Sequence, residues 1–305
     1  VQDCCAFIVL PDDRLRICGC VATNSEPTPV ESDKKIIIPG RPVVAFVLGG
    51  GAARGFAHVG VLQKLEENGI SPDIVIGTSY GSVVGALYAG GIRGSALLEI
   101  AHQLSRDQLT DWVFPNRGVV RGQLLQQFIN DALGHRPIEA LGTKFVAVAT
   151  ELRNGRTVAF NAGDVGMAVR ASSAIPGLIQ PVTIDGVDYI DGGVVSPVPV
   201  HVARQYGADI VIAIDVSRPP LKQDELVSTF TVMHQALIIM TNKISAAETK
   251  EADILISPLL EDITLAEFDM REYAITRGEE AAEVAMPDIK YLIARLTAEK
   301  EKGRR

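Results

Sequence analysis

The sequence predicts an α/β domain in three layers, with a mostly parallel central sheet and helices on both faces. Three observations carry this prediction. Short valine- and isoleucine-rich runs alternate with helical stretches, two of those runs end in glycine-bearing turns that open a helix, and no internal repeat breaks the alternation. An unbroken apolar run marks a strand buried on both sides, as a parallel strand between two helical layers must be.

The elements follow in order. "VVAFVL" reads as the first strand and stops at "GGGAARG". "FAHVGVLQKLEENG" has helical spacing: Val59, Leu62 and Leu65 share a face, Glu66 and Glu67 lie opposite, and Asn68-Gly69 ends it. "DIVIG" is the second strand and "SVVGALYAG" the second helix. The interval from Ile74 to Ile92 carries no charge and approaches the length of a bilayer span, but its glycines, Ser79 and Ser82 divide it into strand, turn and helix. Between Gly94 and Gly142, "ALLEIAHQLS" and "GQLLQQFINDALG" predict helices, and Trp112 is expected to serve ordinary packing in preference to a helical cap over a site. "KFVAVAT", "TVAF" and "DIVIAIDVS" are further strands, and "HVARQYGAD" is an amphipathic helix. The Met-containing "TFTVMHQALIIMT" reads as a core helix in preference to a lipid-facing one.

With 47% apolar and 22% charged residues among 305, the chain supports a sizeable core. Lys+Arg 29 against Asp+Glu 37 gives a net charge of −8 with no basic run, which excludes nucleic acid as a partner. Cys4, Cys5, Cys18 and Cys20 all precede the main domain, so that domain has neither a disulfide framework nor a thiol nucleophile. The CC and CxC spacings do not suit zinc. Residues 1–40 read as a leader and tether, 43–298 as the catalytic domain and 299–305 as a charged tail. Within the leader, "RICGC" resembles a lipoprotein cleavage box with Cys20 as the acylated residue, although "PDDRLR" separates it from the short apolar "AFIVL". A working leader implies a lipoprotein of the bacterial cell envelope; otherwise the expected place is cytoplasmic and membrane-associated.

Three motifs suggest chemistry. In "GTSYG" the strand turns sharply into a helix at Ser79, and Gly77 and Gly81 leave the space that a nucleophile elbow requires. A helix cap would explain the hydroxyl but not both glycines. In "LGGGAARG" the glycines let backbone N–H groups converge on an anion, either a pyrophosphate or the oxyanion of an acyl-transfer intermediate. Arg54 occupies the place of the last glycine of a dinucleotide fingerprint, and the next strand ends in Gly77, Thr78 and Ser79 with no acid, which favours the oxyanion. In "DYIDGGVVSPVPV", Asp191 stands at a strand end before two glycines; alone this is also a simple turn.

Taken in order, "GGGAARG", "GTSYG" and "DGG", with "RASSAIPG" between the last two, resemble the patatin-like phospholipases, above all the bacterial members and the esterase domain of neuropathy target esterase. The resemblance covers roughly Val43 to Leu296. It implies a patatin-like fold and a lipid-acyl hydrolase of phospholipase A, lysophospholipase or esterase type. No cofactor or metal is implied; the substrate would be a lipid or acyl ester, and a membrane surface the partner. Ser79 would be the nucleophile and Asp191 its partner in a dyad. Gly49, Gly50 and Gly51 would form the oxyanion hole with Arg54 beside it, either bracing the loop or holding a substrate phosphate. Ala52 stands where many relatives have glycine, and its N–H serves unless the position needs positive φ. An aspartate of ordinary pKa, about 4, is a weak base for serine, so a dry setting must raise its basicity. The order Ser79, Asp191, His201 is also that of a triad, although His201, near a helix start, is expected to cap or face solvent. His58 is expected to pack. An acyltransferase with the same site, or a catalytically silent membrane adaptor, remain the alternatives.

Overall fold

The computed structural model describes residues 35–105, 111–114, 117–221, 224, 226–260, 263 and 268–302. All four cysteines, the tether to residue 34 and the cleavage-box motif lie outside the described residues. The chain runs β1 (Val44–Leu48), α1 (Ala57–Glu67), β2 (Ile74–Thr78), α2 (Tyr80–Ala89), α3 (Gly94–Gln103), α4 (Gln123–Ala132), β3 (Lys144–Glu151) and β4 (Thr157–Phe160). It continues through α5 (Val165–Ser172), β5 (Val182–Ile184), β6 (Val187–Asp191), α6 (Val200–Gln205), β7 (Ile210–Ile214), α7 (Thr229–Glu248), β8 (Ile254–Ile256) and α8 (Arg271–Lys302).

One sheet carries all these strands in the order β5-β6-β3-β2-β1-β7-β8, with β4 also paired to β3. Neighbours from β3 through β8 are parallel, whereas β4, β5 and β6 pair antiparallel. The central strands alternate as a three-layer core demands. Val44, Phe46 and Leu48 of β1 pack with α1, α2 and α8, while Ala45 and Val47 pack with Val200, Val202 and Ala203 of α6 on the other face. The 32-residue α8 runs on to Lys302, with Lys300 Nζ 2.6 Å from Asp209, so the boundary expected at 298 falls inside a helix.

The register of β3 decides where the site forms. A strand has two edges, and Ala149 pairs with Val158 of β4 on one and Asp191 of β6 on the other. Thr78, the last residue of β2, pairs with the adjacent Val148. β2 and β6 therefore share one edge of β3, running toward each other, and their carboxyl ends meet tip to tip. Residues far apart in sequence are brought together by that meeting.

Two expectations fail here. Trp112 is 60% exposed, because it sits in an irregular segment bridged to Val120 at the rim and not in a layer of the core. In α7, Met233 and Met240 are 65% and 57% exposed. The side of that helix bearing Leu237 and Ile238 lines a cleft with Ser79, while Met233 and Met240 stand on its exposed side.

Candidate active site

Ser79 joins β2 to α2 with φ 53° and ψ −128°, a backbone conformation that L side chains rarely adopt. Local bonds hold it there. Ser79 N–H donates to Ser172 Oγ at 2.9 Å, Ser172 in turn donates to the Val148 carbonyl at 2.6 Å, and the Ser82 hydroxyl donates to the Ser79 carbonyl at 2.6 Å. The flanking glycines are required by close approach: a Cβ on Gly81 would lie 2.1 Å from the Leu48 carbonyl oxygen, and one on Gly77 would lie 2.5 Å from that of Gly81. Ser172 belongs to "RASSAIPG", so the sequence did contain a signal for it, but not for its role.

Asp191 ends β6 and is buried beside Ser79. Its Oδ1 accepts from Gly193 N–H at 2.7 Å, and its carboxylate shares a cleft with Ser79. Its main chain is anchored on both sides, N–H to the Ala174 carbonyl at 3.0 Å and carbonyl from the Thr150 hydroxyl at 2.9 Å. Burial pushes the carboxyl up to about 6, against the opposing pull of the Ser79 hydroxyl and the Gly193 amide.

In the glycine loop the amides divide. Gly49 N–H donates to the Ile214 carbonyl and Gly50 N–H to that of Pro197, each at 3.0 Å. These two are occupied in holding the loop, unlike what the motif alone implies. The amides of Gly51 and Ala52 have no partner among the described residues, as expected where a short 3-10 helix (Ala52–Phe56) begins. Both residues line the cleft with Ser79 and Asp191. Ala52 does sit at positive φ, 49°, a strain of about 1 kcal/mol that glycine would avoid; its amide is offered nonetheless.

Arg54 and His58 brace this loop. Arg54 Nε donates to the Val216 carbonyl at 2.9 Å, and burial lowers the guanidinium to about 9, leaving it charged at neutral pH. It also lines the cleft. His58 is fully buried, its Nε2 2.8 Å from the Gly49 carbonyl, which makes Nε2 the protonated nitrogen. Burial lowers its pKa to about 4, so it stays neutral. His201 pairs with Glu248 of α7, Nδ1 to Oε1 at 3.0 Å, and Asp191 is not among its partners. Glu248 also accepts from the Ser196 hydroxyl at 2.5 Å and Val198 N–H at 3.1 Å, tying α7 to the loop after Asp191. Sequence reading missed Glu248 altogether.

The cleft continues between apolar walls, Ile175 and Pro176 on one segment and Leu237 and Ile238 on α7, with Arg218 and His234 among its polar lining. No group of three or more metal-ligating side chains occurs among the described residues.

The sequence matches the patatin-like phospholipase family over residues 46–204, a stretch that includes the glycine loop, Ser79 and Asp191. The chain belongs to that family. Among patatin-like relatives, an uncharacterised NTE family protein of Mycobacterium tuberculosis is 38% identical over 182 residues, 58% of this chain and 49% of its own. Lysophospholipase NTE1 of Coccidioides immitis is 36% identical over 179 residues, 57% of this chain and 11% of its own. Human patatin-like phospholipase domain-containing protein 6 is 35% identical over 190 residues, 60% and 14%. The matched region spans about half the length of the mycobacterial relative and a small part of the others. VipD from Legionella pneumophila shares the patatin-like fold, with a TM-score of 0.52 at 14% identity over 82% of this chain and 67% of its own.

Proposed function

We propose that the chain hydrolyses acyl esters of lipids through a Ser79–Asp191 dyad. The observation that carries this reading is a buried Asp191 carboxylate sharing one cleft with a serine held at a strained elbow. Ser79 Oγ attacks the ester carbonyl carbon while its proton passes to Asp191. The oxyanion that forms accepts from the Gly51 and Ala52 amides, beside the N-terminus of α2. Collapse breaks the ester bond, and the leaving alcohol takes the proton from Asp191. Water then attacks the acyl-serine with Asp191 again as base; collapse releases a carboxylic acid, and Ser79 Oγ takes its proton back from Asp191. A carboxyl near 6 is a better base than an ordinary aspartate and is still ionised at neutral pH.

The substrate class rests on two supports. The apolar walls suit an acyl chain. A relative named for lysophospholipase activity is 36% identical over 179 residues, and the family match itself spans Ser79 and Asp191. His201, held by Glu248, serves structure in this reading.

A fluorophosphonate serine probe tests it. Wild-type protein is expected to label covalently at Ser79, and Ser79→Ala, folded by circular dichroism, not to label. A folded wild type that stays unlabelled, or a Ser79→Ala protein that labels, would contradict the assignment.

A further inference from the structure

The 20-residue α7 carries apolar residues on both of its sides, unlike a surface helix of a globular protein. The side turned inward lines the cleft with His234, Leu237, Ile238, Thr241 and Asn242. The side turned to solvent carries Val232, Met233, Ala236, Ile239 and Met240 in one stripe at helical spacing, with Lys243 its one charge up to that point. Their exposure is substantial, 54% for Val232 and 46% for Ile239. Ser228 caps the helix with Thr231 in a reciprocal box, so the stripe is held in register from its first turn.

A second apolar pair stands on a segment tied through the backbone to the wall of the same cleft. Trp112 and Phe114 are 60% and 92% exposed on a segment bonded to residues 119–121. Those residues bond in turn to Leu178 and Gln180, just beyond Ile175 and Pro176 of the cleft wall. Exposed apolar side chains are thus carried by two segments that the backbone ties to the wall around Ser79.

We propose that the outer stripe of α7, with Trp112 and Phe114, seats on a phospholipid bilayer and sets the cleft mouth at the lipid surface. The proposal rests on the lipid-ester reading, because an acyl chain leaving a bilayer for a buried serine benefits from an apolar path along the helix that walls the cleft. Lys243 suits the phosphate level, its aliphatic stem lying along apolar surface while the ammonium stays in water. With a net charge of −8 the chain gains nothing overall from anionic lipid, so insertion is apolar and zwitterionic lipid suffices. No helix among the described residues is long and apolar enough to cross a membrane, which fits a helix lying in the interface plane.

Co-sedimentation with phosphatidylcholine vesicles tests this, using wild type and the Met233→Glu/Met240→Glu double variant. Both methionines lie outside the cleft, so hydrolysis of soluble p-nitrophenyl butyrate is expected to be equal in the two proteins. Vesicle binding is expected to be weaker by roughly tenfold or more in the variant. Emission of Trp112, the only tryptophan, is expected to shift to the blue as vesicles are added to the wild type. Equal binding, absence of wild type from the vesicle pellet, or a wild-type dimer that the two glutamates split would overturn the proposal. Binding without a blue shift would remove Trp112 and Phe114 from the docking face. Vesicle binding that the glutamates abolish, in a protein inactive on the soluble ester, would sustain docking while refuting the hydrolytic reading.

Discussion

Asp191→Asn is expected to inactivate the protein and stabilise it at the same time. Without a base for Ser79, kcat should fall by roughly 10²–10⁴-fold, the usual worth of a positioned general base. The stability effect follows from burial. A carboxyl moved from 3.8 to about 6 is disfavoured in its charged form by about 3 kcal/mol in the folded state. Because the folded pKa is the higher one, stability is greatest where the group is protonated in both states, below about pH 4. It is lost as pH rises through about 6. Asparagine is neutral throughout and retains an oxygen for the Gly193 amide, so above pH 7 the variant should unfold at higher denaturant, by up to about 3 kcal/mol, with the gap closing near pH 4. Chemical denaturation at pH 4 and pH 8 reads this directly. A variant less stable than wild type at pH 8 would mean that the carboxylate is better compensated than its burial implies.

Gly81→Ala should cost about 3 kcal/mol or more, at the upper end of overpacking, because the added methyl meets backbone. The Leu48 carbonyl oxygen 2.1 Å away and the Gly49 carbonyl oxygen at 2.7 Å belong to the strand end and loop that offer the Gly51 amide. Relief of the clash therefore moves the amide away from Ser79, and activity should fall even under conditions where the variant is folded. Urea denaturation with esterase assays on the folded fraction measures both. Wild-type turnover in a destabilised variant would show that elbow and glycine loop are not coupled in this way.

The elbow was legible because its demand is local: a tight turn from an apolar strand into a helix needs glycine at both Gly77 and Gly81 if Ser79 is to stand at its apex. The sheet was legible for the same reason, since β1, β2 and β7 are unbroken buried runs. Asp191 was a different case. Its place depends on β6 pairing antiparallel with β3 beyond the end of β2, a long-range event that no local pattern encodes, and only the company of the other motifs marked it. Ser172 and Glu248 act through contacts 93 and 50 residues away along the chain, so their roles emerge only on folding. The glycine loop was legible only as a run of glycines at a strand end; that the amides of Gly49 and Gly50 are spent on the carbonyls of Ile214 and Pro197 was not. For α7 and Trp112 the composition was misleading, because an apolar helix reads alike whether protein or something else covers it.

The most direct test of the central claim, that Asp191 is the base for Ser79, is the pH dependence of kcat/KM on a soluble ester, measured for wild type and His201→Ala. The account predicts activity that falls below one ionisation near pH 6, the region to which burial brings Asp191, and a His201→Ala profile that superimposes on the wild type. Loss of that limb together with activity in a folded His201→Ala protein would contradict it and make the histidine the base.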